Sequence, residues 1–351
     1  QVIGSERPSA MAIRSTTDNK IFFGGVNGDF YANSTPVGTT IVNGEYALTP
    51  WGAGGGRRHG GVDADKKGVT AFTHTYSMQL VTPTNDTLTI NHANGTRGDN
   101  ELVLYNHHLG KTTATNAYGT ELLAELLPGE KWQTTGSMKL KITDKQQNVG
   151  SMAIPADKVV LSGHGTMAAA LDALNIGDEV IVNMSLLFDG NEVDVAQCIG
   201  GDTYALIVDN GKVEQSNFWN EVHPRTAFGA SEDGTVLYFL VVDGRSVISA
   251  GCNTKVLGEI IHHHGAYKAV NWDGGGSSCL YVRPFNQMNN GSDGSERACG
   301  NGMFAVADVP ETDNTIASIA PYQPIYSLPR YGVAAPQFLG YNKYGVMINT
   351  D

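Results

Sequence analysis

The chain has 351 residues, a formal net charge of −12 and 41% hydrophobic residues, which suffices for one large domain or two ordinary ones. The acidic balance argues against general nucleic-acid binding and against anionic membranes, and four cysteines are too few for a disulfide scaffold. Cys279 and Cys299 bracket one loop and are the first candidate for a single bridge; no CxxC spacing supports a zinc ribbon. No apolar run reaches transmembrane length, and the abrupt start at Gln1 is compatible with a mature, processed or truncated product; the expected location is secreted, periplasmic or cell-surface.

In chain order, Ala10–Arg14 and Lys20–Val26 read as strands, and Gly38–Gly44 as a strand stopped by an Asn43-Gly44 turn. Trp51–Gly61, with Arg57, Arg58 and His59, reads as a glycine-rich loop. Strands follow at Gly68–His74, Thr87–Ile90, Glu101–Tyr105, Met138–Ile142 and Lys158–Ser162. Met167–Leu174 is a helix with Thr166 as its cap, and Glu179–Leu187, Ala196–Gly201 and Tyr204–Asp209 are strands. Ala227–Gly229 and Val236–Asp243 form a hairpin around Asp233-Gly234, and Thr254 caps a helix over Lys255–His264 with Gly265 just beyond it. The consecutive His262, His263 and His264 point in different directions on that helix and cannot share a metal. Many strands and few helices without regular βαβ alternation give an α+β class: a strand-rich, mixed but mostly antiparallel twisted sheet with a few short helices. Past Asp308 the chain turns rich in Pro, Tyr and Asn, so 309–351 reads as an extended tail or a small appendage.

The stretch richest in chemistry is Asn271-Trp272-Asp273-Gly274-Gly275-Gly276-Ser277-Ser278, set between the apolar runs 266–270 and 279–282. A carboxylate, three glycines and two hydroxyls at a strand end suggest an anion cradle of bare N–H groups, or room for a ligand beside the backbone. No P-loop, GxGxxG or G-x-S-x-G pattern accompanies it. Asp29, after Asn27-Gly28, is the partner carboxylate, although Asp beside Gly is also a common turn residue. A glycosyl transfer to water needs such a base or nucleophile. Arg225, set between Pro224 and Thr226, and Arg297 are the anion-binding candidates. His164, between two glycines, could donate to an anion or equally serve its own loop.

These segments resemble the phosphodiester glycosidase family. The resemblance rests on Asn27-Gly28-Asp29-Phe30-Tyr31, Ser162-Gly163-His164-Gly165, Pro224-Arg225-Thr226-Ala227-Phe228-Gly229 with Asp243-Gly244-Arg245, Asn271 to Ser278, and Arg297 followed by Asn301-Gly302. It spans about residues 20–308 in the right order, so 1–308 is taken as the family-like domain. Trp272 stands where the family more usually has Leu. The resemblance implies hydrolysis of a sugar-1-phosphodiester, releasing free sugar and a phosphomonoester. It implies Asp273 or Asp29 as nucleophile or base, Arg225 and Arg297 on the phosphate, and Asn27, His164, Thr226, Gly274, Gly275, Gly276, Ser277, Ser278 and Asn301 as substrate contacts. No cofactor is expected, although Asp29 and Asp273 could hold a divalent cation. The expected partner is a phosphorylated glycan or another sugar phosphodiester. The competing readings are a non-catalytic glycan-binding protein on the same scaffold and a glycosidase of non-phosphorylated polysaccharide.

Overall fold

The computed structural model describes residues 4–50, 57–201, 206–283, 285–309, 315–321, 328–343 and 347–348. Trp51–Gly56 and part of the expected Tyr204–Asp209 strand lie outside them. The class is α+β: antiparallel sheets with three α-helices among the described residues. The single parallel pairing among them joins His92–Ala93 to Leu102–Tyr105.

The largest sheet has nine strands and carries the main core. Its long members, His74–Val81, Gly136–Gln147 and Glu179–Phe188, alternate buried and open residues, as strands with one face on a core do. Leu80, Met138, Leu140, Val182 and Leu186 supply that face. A five-stranded sheet runs Glu45–Leu48, Thr40–Val42, Val195–Gly200, His59–Asp63, Gly68–Ala71. A second one places Lys268–Trp272 between Leu206–Asp209 and Arg225–Ala230, with Leu237–Val242 on the outside. Lys20–Asn27 lies in a four-stranded sheet between Leu280–Val282 and Gly302–Asp308.

Helix α1, Pro8–Ser15, occupies a segment that alternates like a strand, because Pro8 at its first turn and the fit of Ala12 into the core decide in favour of helix. Helix α2, Thr166–Asp172, begins after Gly165, so Thr166 is its first residue rather than its cap. Helix α3, Thr254–His263, is capped by Asn253, whose side chain accepts from Val256 N at 2.9 Å. Leu257 and Ile261 of α3 pack on Ile207, Ala227 and Ala269. His59–Asp63 is a strand, not part of a loop; Gly60 and Gly61 let it lie against Phe228 and the Gln197 backbone. Beyond 308 three short strands, Ser318–Pro321, Phe338–Tyr341 and Met347–Ile348, form a small antiparallel sheet.

One small cluster fixes the site. Val26, Ile199, Phe228, Val270, Trp272 and Met303 come from different sheets and close on one another. Trp272 is fully buried and stacks on Phe228 at 5.1 Å between centroids, so the larger ring in place of Leu is absorbed by an aromatic partner.

Candidate active site

Asn27, fully buried at the end of its strand, ties the site together. Its side-chain oxygen accepts from Thr226 Oγ1 at 2.9 Å and from Cys279 N at 3.0 Å, while its Nδ2 donates to the Asp273 carbonyl at 2.7 Å. The hydroxyl oxygens of Thr226 and Ser278 are 3.1 Å apart. Asp273 N donates to the Gly28 carbonyl at 2.9 Å. Asn301 braces the same corner: its Oδ1 accepts from Asp29 N at 2.8 Å and its Nδ2 donates to Thr40 Oγ1 at 3.1 Å. Strand ends around Asn27, Arg225, Asp273 and Asn301 thus meet in one hydrogen-bonded knot.

Within it the two carboxylates differ. Asp29 is 1% exposed, and its Oδ2 accepts from Gly38 N at 2.5 Å. Gly38 and Gly200 close over it, since a Cβ on either would come within 2.9 or 3.2 Å of Oδ2. Its Oδ1 lies 3.6 Å from Arg57 Nη1, and no hydrogen-bond donor reaches it among the described residues. Burial pushes this carboxyl up to about 7, and the Asp273 carboxylate adds to the push; the Gly38 amide and Arg57 only partly oppose it. Asp273 is half-buried and stands where its strand gives way to the glycine turn.

Each of the three glycines has a local reason. A Cβ on Gly274 would sit 2.8 Å from the Pro224 carbonyl. Gly275 takes φ +63 and lies beneath the Arg245 guanidinium, whose nitrogens would be 3.1 and 3.2 Å from a Cβ there. A Cβ on Gly276 would collide with Arg297 Nη2 and the Asp293 carboxylate. Part of the expected cradle of bare N–H groups is taken up internally. Gly275 N donates to Pro224 O at 2.8 Å, and Ser277 N and Ser278 N donate back within the turn at 3.2 Å. The glycines chiefly admit the protein's own backbone and arginines.

Arg297 is 40% exposed; its Nε donates to Asp293 Oδ2 at 2.7 Å and its Nη1 to Ser277 Oγ at 3.4 Å. Arg225 is not a surface cation. It is 2% exposed, donates from Nε to Cys252 O at 3.2 Å and from Nη2 to Glu221 O at 2.6 Å, and lies 5.4 Å over the Trp219 ring. Its neighbours on a buried strand hold it among these partners. His164 is not brought to the knot: it follows the Lys158–Gly163 strand, with its Nδ1 3.4 Å from Asp99 and its N–H on the Glu101 carbonyl at 3.0 Å.

Cys279 and Cys299 are buried free thiols, so the expected bridge is not formed. Cys279 Sγ donates to Glu296 Oε1 at 3.3 Å and Cys299 Sγ to Arg297 O at 3.5 Å. Burial pushes the Cys299 thiol up to about 12, and Asp273 adds to the push.

Two further exposed or half-buried groups stand at the knot. Arg245 is exposed over Gly275, and Tyr31 donates its hydroxyl to Ala298 O at 2.9 Å. Burial and the Cys299 thiol push Tyr31 up, while Arg297 pulls it down. The Gly244-Arg245 and Phe30-Tyr31 dipeptides were visible in the sequence, but only the packing shows what they face.

Residues 134–306 match the model of the phosphodiester glycosidase family. Over 79 residues the chain is 43% identical to YomE, an SPbeta prophage-derived uncharacterized protein of Bacillus subtilis; the match covers 22% of this chain and 12% of that protein. Two solved structures share the fold. A hypothetical protein from Synechocystis superposes with a TM-score of 0.59 at 17% identity, covering 87% of this chain and 54% of that one. An exported-protein candidate from Burkholderia pseudomallei superposes with a TM-score of 0.58 at 22% identity, covering 86% and 68%. The chain therefore spans about an eighth of the curated relative's length and just over half of the Synechocystis chain. Among the described residues no helix is long and apolar enough to cross a membrane.

Proposed function

We propose that this chain hydrolyses a sugar-1-phosphodiester, releasing free sugar and a phosphomonoester, with Asp273 as the carboxylate at the anomeric carbon. The observation that carries the reading is the contrast at one strand end. Asp273 is half-buried beside a turn overlain by Arg245 and Arg297, whereas Asp29 is 1% exposed behind Gly38 and Gly200. At this turn Arg245 and Arg297 are exposed and Asp273 is half-buried, whereas Asp29 and the Arg225 side chain are buried.

The chemistry fits that division. A phosphomonoester is a good leaving group, with a second pKa of roughly 6, so the demand for a strong general acid is small. The site must instead offer positive charge to the phosphoryl oxygens and a carboxylate to the sugar. The exposed Arg245 and Arg297 put positive charge at this turn of a chain of net charge −12, Arg297 being shared with Asp293, and this favours an anionic substrate over a neutral polysaccharide. Asp29 then acts from behind, its charge state altering the field at Asp273. No cofactor enters this scheme, so turnover insensitive to chelator is expected.

The test is a panel of sugar-1-phosphodiesters with both products identified. Release of reducing sugar together with phosphomonoester supports the reading, and Arg297→Ala should lower kcat/KM about 100-fold or more. Binding of the panel without any release would instead indicate a glycan-binding module.

A further inference from the structure

We propose a second site, apart from the knot, in which Glu45, His107 and His108 bind one divalent transition metal of the zinc class. Their three ligand atoms lie within 4.8 Å of one another, and among the described residues no other His, Cys, Asp or Glu group of three does so. His107 Nδ1 is 3.9 Å from Glu45 Oε2. The His108 Nε2 is buried and has no hydrogen-bond partner among the described residues, which leaves it available as a ligand in the tautomer protonated at Nδ1. The two imidazole centroids lie 4.0 Å apart with their planes tilted by 37°.

The backbone beneath these side chains is rigid. Asn106 Nδ2 donates to the Tyr46 carbonyl at 3.0 Å and its Oδ1 accepts from His108 N at 3.2 Å. Asn94 Nδ2 donates to Asn106 Oδ1 at 2.6 Å and to the Ala47 carbonyl at 2.8 Å. The Glu45–Leu48 strand of one sheet and the turn after Leu102–Tyr105 of another are therefore fixed in register before any metal arrives. Tetrahedral zinc with ligand distances near 2.0–2.1 Å needs ligand atoms about 3.3 Å apart, which side-chain rotation alone can reach. Two imidazoles and one carboxylate favour zinc, nickel, cobalt or copper over calcium and magnesium, which take oxygen ligands. His108 also lines a cavity of about 990 Å³ together with Asn43, Ala47 and Gln197. The consecutive histidines of α3 offer no such convergence.

The experiment uses the full chain without a histidine tag, stripped with chelator and titrated with Zn²⁺ by calorimetry and with Co²⁺ by visible absorption. The expected result is one metal per chain, a rise in Tm on zinc addition, and binding weakened at least about tenfold in both His107→Ala and Glu45→Gln. His107 is 37% exposed, so its variant should fold; circular dichroism checks this. Absence of stoichiometric binding, binding undiminished in both folded variants, or binding lost on replacing His262, His263 and His264 would each overturn the proposal.

Discussion

Replacing Asp29 by asparagine should make stability respond to pH in the opposite sense from most carboxylate losses. The folded carboxyl titrates near 7 instead of the ordinary 3.8, with burial as the main cause. Between those values the folded state holds a proton that the unfolded chain has released, so stability falls as pH rises through that window. At 1.36 kcal/mol per pH unit, the whole effect is about 4 kcal/mol. The amide side chain of Asp29→Asn cannot ionise, so the variant does not suffer this loss. Its stability relative to the parent should improve by about 4 kcal/mol between pH 4 and pH 8. That double difference cancels the fixed cost of placing an unpaired amide hydrogen opposite Arg57, as well as every other titrating group common to both chains. Urea unfolding of both chains across this range, followed by intrinsic fluorescence, measures it. Parallel curves would refute the reasoning, because they would show Asp29 ionising as a solvated carboxylate does.

His74 has the opposite sign. Burial holds it down at about 4 against the ordinary 6.5, so its contribution is complete above 6.5 and is lost as pH falls toward 4, about 3 kcal/mol in all; His74→Gln should flatten the acid limb of the stability curve in the same urea series. Asn27→Ala removes a buried amide serving three partners and should cost about 3 kcal/mol or more, read as a lowered urea midpoint. In Gly276→Ala the new methyl meets the far ends of Arg297 and Asp293 rather than backbone, so the fold should survive with little change in Tm while kcat/KM falls; an unchanged kcat/KM would remove Arg297 from the site.

Much of the fold is legible because burial on one face imposes alternation, as at Gly136–Gln147 and Glu179–Phe188. Helix α1 is misread from alternation because eight residues are too few for period to decide, and Pro8 with the packing of Ala12 decides instead. His59–Asp63 hides among glycines that a loop would also use, since its neighbours Phe228 and Gln197 come from distant strands. At the candidate site, residue type announces Asp273, Asp29, Asn27 and Arg297, but depth is invisible in a string of letters. Only packing distinguishes the sealed Asp29 from the half-buried Asp273, withdraws Arg225 to backbone carbonyls, and brings Arg245 over Gly275. The thiols of Cys279 and Cys299 bracket a loop as a bridge would, yet each donates to its own oxygen acceptor.

The most direct measurement is turnover of a sugar-1-phosphodiester by Asp273→Asn, with free sugar and phosphomonoester quantified and the fold verified by circular dichroism. The account predicts a loss of about 1,000-fold or more in kcat with the fold intact. Full activity in that variant would contradict it and remove Asp273 from the chemistry.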